Sequence, residues 1–416
     1  IFGEKNGYGL WLWDRHTKVV RRLVQLLDRS GERLTSLTFF GWNQDGDALL
    51  YAVDGIQSEG QLLGQNGVLV RRLSLDGQDR ALAWLPGKGT FIRSWLFRQE
   101  DNRLLLHRGQ NLWVVDTAQG KSKKVKSDLP VWDGLFWVAV SPTGEKAVYP
   151  EPESDKHRLV IVDVNSGQET VVGNVNEYNF HPVWSPDGEK LAFLSAVADG
   201  QGYDFQIGED GPLPPATKVS VVTEDGQLLA QHTPVGQEKA GAPVWSRDGQ
   251  CLAFLSASVT LVPDGFPEVK WCRLLMATPG NQLQDWGPVS GEWISIGGFT
   301  PDNEAVLLYA YEAGGGVTAT LKGPAKKATM LAQGAVDEPP VWWQEHLILP
   351  RLTGDNGDHL DTQLYLHDLR NGSRPLTSGS GWKSGVHVAS GYMAYTDADN
   401  QDYPYPLTVV VQPLPE

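Results

Sequence analysis

The chain has 416 residues, with 46 glycines, 26 prolines and 16 tryptophans, a mixture that excludes a helical bundle and favours many short strands joined by tight turns. Its 41% hydrophobic content is enough for a packed core, so disorder is not the default. A formal net charge of −15 argues against a nucleic-acid partner, and no segment approaches the roughly 18 consecutive apolar residues of a membrane-crossing helix.

The chain begins at Ile1 rather than methionine, and a removed signal peptide or anchor upstream would fit that start. The first segment, "GLWLWDRHTKVV", reads as outer strands of a sheet with no hairpin before it. "VVRRLVQLL" also has apolar residues at helical spacing, so a short helix there is an alternative.

From residue 39 onward one grammar recurs: an apolar run, a turn, a second apolar run. The copies in chain order are "FFGWNQDGDALLYAVDG", "SWLFRQEDNRLLLH", "WVAVSPTGEKAVYP", "FHPVWSPDGEKLAFLS", "GAPVWSRDGQCLAFLS", "IGGFTPDNEAVLLYA", "VWWQEHLILP" and "GVHVASGYMAYT". In the fourth, Ser185-Pro186-Asp187-Gly188 fits a type I turn, with Pro presetting φ and Gly accepting a positive φ. The flanking runs are apolar on both faces, as expected of strands buried between neighbouring sheets.

Aligned on Trp184, the anchors are Trp42, Phe97, Val140, Trp184, Trp245, Phe299, Trp343 and Val388, spaced by 43 to 61 residues. A third strand follows each hairpin ("RLVIVDVNSG", "KVSVVTEDG") and often a fourth, more polar one ("QLLAQHT"). Four short strands at this period predict an all-β fold: a closed β-propeller of four-stranded blades forming a single domain, 1–416. Eight blades are counted; seven is the alternative, because the last two turns are degenerate. The N-terminal strands could complete the last blade, although "LTVVVQPLPE" competes as its third strand.

"VWSPDGEKLAFLS" resembles the PD40, WD40-like repeat of TolB-like propellers, which is also found in the propeller domains of prolyl-oligopeptidase and dipeptidyl-peptidase relatives. The resemblance implies a propeller and a cell-envelope location. The peptidase relatives carry a G-x-S-x-G nucleophile elbow; this sequence has none, "TSGSGW" (377–382) coming nearest, and the repeats leave no room for a hydrolase domain.

Chemistry-bearing residues are few. His181, just before a hairpin strand, is a candidate for the mouth of the ring, or else a loop residue bonded to backbone. Cys251 and Cys272 are expected on paired strands turning near residue 262, which would place them opposite each other, either bridged or as two buried thiols. Asp397, Asp399 and Asp402, and likewise Asp355, Asp358 and Asp361, lie in acidic loops that are either solvated or weak calcium ligands; no other cofactor is expected.

In a propeller the connections between second and third strands emerge on one face, along with those between blades. Over windows 54–67, 107–110, 150–158, 196–216, 258–269, 310–316, 353–362 and 396–405 they carry 18 acidic and three basic residues, while the remainder carries 32 of each. The longest, 196–216, holds Tyr203, Asp204, Phe205 and Glu209, aromatics ringed by charge that read as a partner contact or as a plug over the channel. Trp132, Asp133, Tyr178, Trp293 and Trp382 lie near inter-blade connections on the same face.

These features predict a non-catalytic binding or scaffolding propeller of the bacterial cell envelope, periplasmic or extracellular and monomeric. It would dock a protein or small cationic ligand on its acidic loop face. The alternatives are a metal-dependent lyase or glycosidase with a site at the channel mouth, and the sensory ectodomain of an anchored receptor.

Overall fold

The computed structural model describes all residues except 1, 5–6, 15, 18, 26–36, 44, 55–56, 59–60, 63–66, 88–90, 98–101, 130–137, 154–155, 175, 198–215, 237, 261–267, 279–281, 313–315, 325–327, 337, 356–359, 370–371, 399–406 and 416. The fold is all-β, a β-propeller of eight blades, with no helix among the described residues. The chain divides into two compact units, Ile1–Pro152 with Val160–Val171, and Glu153–Leu159 with Val172–Glu416.

The first unit opens with a three-stranded antiparallel sheet, Phe2–Glu4, Gly7–Trp13 and Val20–Gln25. The helix considered for "VVRRLVQLL" is therefore a strand over Val20–Gln25. Local turn chemistry decides this: the Asp14 carboxylate accepts the N–H groups of His16 (2.8 Å) and Thr17 (3.1 Å), and Asp14 N–H reaches Val19 O at 3.0 Å, closing a hairpin with Trp13 opposite Val20. The first blade follows (Leu37–Trp42, Ala48–Asp54, Gly67–Ser74, Asp79–Pro86), then the second (Phe91–Phe97, Arg103–Arg108, Asn111–Asp116, Lys121–Lys126). The third blade comprises Ala139–Val140, Lys146–Glu153, Lys156–Asp163 and Glu169–Val172.

The second unit holds the fourth blade (Glu177–Trp184, Lys190–Val197, Lys218–Thr223, Leu228–His232) and the fifth, whose first strand is broken into Lys239–Ala240 and Val244–Trp245 before Leu252–Thr260, Glu268–Thr278 and Gln282–Pro288. The sixth (Trp293–Phe299, Val306–Tyr311, Val317–Lys322, Ala328–Gln333) and seventh (Val341–Trp343, His346–Asp355, Leu360–Asp368, Gly372–Pro375) are regular meanders. The eighth has three strands: Trp382–Ala389, Tyr392–Ala398 and Leu407–Pro413. Leu407–Pro413 thus takes the third-strand place, and among the described residues the N-terminal strands pair with one another.

Two-sided burial explains the apolar hairpins. Leu104, Leu105 and Leu106 are each 0% exposed although neighbours on a strand point to opposite faces. Leu104 and Leu106 join Leu50, Val70 and Leu85 of the first blade, whereas Leu105 joins Ala147, Tyr149 and Val160 of the third. The second unit repeats this: Leu308 packs toward the fifth blade and Leu307 toward the seventh, with Ile348 facing the eighth. Each such leucine contributes about 1.5–3 kcal/mol of burial.

The recurrent turn is one hydrogen-bonded device. Gly188 N–H donates to Ser185 O (2.9 Å) and Ser185 N–H to Lys190 O (2.8 Å), while the Ser185 hydroxyl donates to Asp187 at 2.5 Å and accepts Lys190 N–H at 2.9 Å. Ser246 with Asp248, and Thr300 with Asp302, repeat the arrangement at hydroxyl–carboxylate distances of 2.6 Å. The seventh and eighth hairpins replace it with two-residue turns, Gln344-Glu345 and Ser390-Gly391, using positive φ at Gln344, Ser390 and Gly391. That substitution is why their turns look degenerate in sequence.

The cysteines are free and far apart in register. Leu252 pairs with Ala277, so Cys251 lies at the turn end of its strand, whereas Cys272 sits at the bulge opposite Ser256 and Ala257. The hairpin turns later than residue 262 and contains that bulge, which removes the expected opposition.

Ser185→Ala strips the turn of a partly buried acceptor and should cost about 1–2 kcal/mol, read as a lower denaturant midpoint with unchanged slope. The Ser246 hydroxyl and then the Gln250 N–H hold the Asp248 carboxyl below its usual range; the Thr300 hydroxyl and then the Glu304 N–H do the same for Asp302. Carboxylates lowered in the folded state stabilise it above their unfolded value near 3.9, and that contribution disappears as pH falls through the folded value. Stability measured by denaturation should therefore drop below about pH 4, with a shallower drop in the Asp248→Asn, Asp302→Asn double variant.

Candidate functional site

Charge is distributed unevenly between the two units. The first contains 20 basic and 19 acidic residues, the second 15 basic and 31 acidic. The negative excess of the chain therefore belongs to the second unit, where the ends of second strands, the starts of third strands and the inter-blade connections carry a series of polar groups.

In the fourth blade, Glu177 and Lys218 pair at 2.9 Å with both side chains largely buried. Asn179 and Ser195 bond at 3.0 Å beneath them. In the fifth, Glu238 accepts the Ser256 hydroxyl at 2.6 Å and faces Arg273 at 3.4 Å, which also holds Asp285 at 2.8 Å. Trp293, 37% exposed, meets the buried Trp271 edge to face, with centroids 5.7 Å apart at 85°.

The densest group lies where the seventh blade meets the eighth. Lys383 is 1% exposed; its ammonium donates to Ser380 O at 2.7 Å and lies 3.4 Å from Asp397. The Thr362 hydroxyl donates to Lys383 O (2.9 Å) and accepts Lys383 N–H (2.5 Å), stitching the third strand of one blade to the first strand of the next. Asp361 accepts Gly381 N–H at 2.7 Å, and Gln363 bonds Gly379 O and the Thr377 hydroxyl. Glu338 accepts Gly385 N–H at 3.2 Å, and burial raises its pKa against that bond. Gly385 has φ 62 at the bulge between Ser384 and His387.

The sequence-selected residues scatter across this frame. Trp132, Asp133, Tyr203, Asp204, Phe205, Glu209, Asp358, Asp399 and Asp402 lie outside the described residues. Tyr178 is 3% exposed within its strand, so it packs inside rather than facing solvent. His181 occupies the bulge between Phe180 and Val183 with φ 54, a left-handed conformation unusual for a residue with a Cβ, at the position Gly385 fills in the eighth blade. Trp382 is half-buried opposite Ala398, and Asp355 ends its strand opposite Leu360.

Asp361 and Asp397 come into one neighbourhood, but each is committed: the first to a backbone N–H, the second to an ammonium that stands where a cation would. Among the described residues, no three His, Cys, Asp or Glu side chains converge as a metal-holding group. What the arrangement offers is a fixed set of carboxylates and backbone carbonyls around a rigid blade junction. Lys383 and Glu338 escaped the sequence reading. A lysine within "GSGWKSG" reads as surface, and the signal for Glu338 was only its place before Pro339-Pro340, where strand bonding is interrupted.

Removing the counter-charge of a buried ammonium is costly, whereas removing the ammonium is not. Asp397→Asn should lower stability by about 1–3 kcal/mol, and Lys383→Met by less, measured by chemical denaturation.

No protein-family model matches this sequence. An uncharacterized peptidase, YuxL of Bacillus subtilis, is 23% identical over 202 residues, which span 42% of this chain and 29% of that protein, so the match covers under a third of the relative. Among solved structures, TolB from Acinetobacter baumannii is similar with a TM-score of 0.35 at 15% identity, covering 77% of this chain and 78% of that one. The β-propeller domain of the Trilobed protease from Pyrococcus furiosus is similar at 0.40 and 11%, covering 91% and 98%. Among the described residues no helix is long and apolar enough to cross a membrane. By its own strand pairing the chain is an eight-bladed β-propeller.

Proposed function

We propose that this chain is a single-domain, non-catalytic binding propeller of the cell envelope that docks a basic protein segment on the acidic loop face of its blades. The observation that carries the reading is the bias of the second-to-third-strand connections, with 18 acidic against three basic residues, together with the 31 to 15 excess of the second unit. Such a field raises the local concentration of a cationic partner and its association rate, and it weakens with ionic strength. Carboxylates at the strand ends support the reading as framework: Glu177, Glu238, Asp361 and Asp397 are tied down internally and hold the blades in place. Asp361 and Asp397 are themselves among the 18 connection acids, so recognition falls to the other 16.

The test is a binding isotherm with fluorescein-labelled decalysine at low and at physiological salt. The variant carries Asp204→Asn, Asp355→Asn, Asp358→Asn and Asp399→Asn; Asp397 is left intact because it balances Lys383. Affinity should fall roughly tenfold in the variant, about 1.4 kcal/mol, and the salt dependence should flatten. Equal binding by both proteins would place the cationic partner elsewhere.

A further inference from the structure

The sixth and seventh blades meet over an apolar cluster that includes Val317, Ala319, Leu321 and Ala332 from the sixth and Leu347 and Leu349 from the seventh. Register brings polar side chains onto that same side of the seventh blade. Leu347 pairs with His367, Leu349 with Tyr365 and Arg351 with Gln363, and alternation points these odd-numbered residues toward the sixth blade. Their even-numbered neighbours Ile348, Leu364 and Leu366 pack the other way, against the eighth.

Gln363 is occupied, donating to Gly379 O and accepting the Thr377 hydroxyl. The other three are not. The half-buried Arg351 guanidinium stacks on the Tyr365 ring, 4.5 Å from its centroid, and that ring lies 6.3 Å from His367. Among the described residues none accepts a hydrogen bond from Arg351 or pairs with its charge, and its buried Nε has no partner. His367 is 2% exposed, and its Nε2 is likewise buried without a partner. Burial, and then the Arg351 charge, lowers the His367 pKa to about 4, so the imidazole is neutral at physiological pH. Unsatisfied buried nitrogens cost stability, and an external acceptor removes that cost.

We infer that Arg351 and His367 form a binding site for a small monocarboxylate between the sixth and seventh blades. A guanidinium laid on an aromatic ring keeps its N–H edge free, and Nε with the adjacent Nη matches the two oxygens of one carboxylate. The imidazole adds a third bond from Nε2–H, and Tyr365 holds the guanidinium in place. The facing side chains of the sixth blade are apolar, so none of them competes for either donor. Charge selects the ligand class. The second unit carries 31 acidic against 15 basic residues, a field that penalises a dianion such as phosphate more than a single carboxylate. This site takes a ligand of opposite sign to the basic segment proposed above and does not rest on that reading.

The test is a magnetic-resonance titration of the full chain, isotope-labelled at its histidine nitrogens, with sodium acetate at neutral pH and constant ionic strength. The His367 signals are identified by their loss in His367→Gln. Acetate should shift them saturably, and Arg351→Gln should weaken binding roughly tenfold. Arg351→Lys, which keeps the charge but not the two-donor edge, should fall between the two. The control is Arg247→Gln, which removes an exposed arginine of the same unit, stacked on Trp342 at 5.8 Å; it should bind acetate as the parent does. Absence of a saturable shift at His367 overturns the inference. So does an equal loss in Arg247→Gln, because bulk charge then suffices. Phosphate binding more tightly than acetate overturns the choice of a carboxylate. Should Arg351→Gln fail to fold, Arg351→Lys decides: acetate affinity equal to the parent's overturns the role given to the guanidinium edge.

Discussion

The inner blades are buried on both faces, and most of what the structure does follows from that. A strand whose successive residues enter two different cores cannot alternate polar and apolar residues, as Leu104 to Leu106 show. Polar chemistry is then expelled to the strand ends and connections. Where Thr362 and Lys383 remain inside, at the junction of the seventh and eighth blades, each is hydrogen-bonded.

The strand ends illustrate how a negative protein keeps its frame rigid. Glu177, Glu238, Asp361 and Asp397 each have a nearby cation or N–H donor. These pairs join strands that are distant in sequence, and in doing so they remove those carboxylates from competition for an external ligand. Asp361 and Asp397 show that an acid of a connection can belong to the frame, so the docking proposal concerns the connection acids other than these two. Asp397, which sequence spacing grouped with Asp399 and Asp402, belongs with Lys383 instead.

Repeat, turn and class were legible because they are local. Ser-Pro-Asp-Gly states its hydrogen bonds in its own four letters, and eight copies of an apolar–turn–apolar pattern admit few folds. Three things were not legible. Val20–Gln25 has helical spacing, and only the Asp14 turn before it selects a strand. Cys251 and Cys272 were placed opposite each other by counting from an assumed turn, and one bulge with a later turn undid the count. Lys383 looked like a surface lysine because its burial depends on Thr362 and Ser380, contributed by other strands and turns.

Bonds between neighbouring blades follow a pattern of their own. The Trp245 indole N–H donates to Val183 O at 3.0 Å, the Lys190 ammonium reaches Gly249 O at 2.9 Å, and Arg247 N–H reaches Asn303 at 2.9 Å. Each tie runs from one repeated turn region to the next, so the turns of the fourth, fifth and sixth blades form a short relay of nearest-neighbour couplings. In such an array, loosening one turn is felt by its neighbours before it is felt by the outer strand of its own sheet. Amide exchange should consequently be ranked by distance from this relay, with the paired turns opening together as one cooperative unit while the peripheral strands exchange ahead of them.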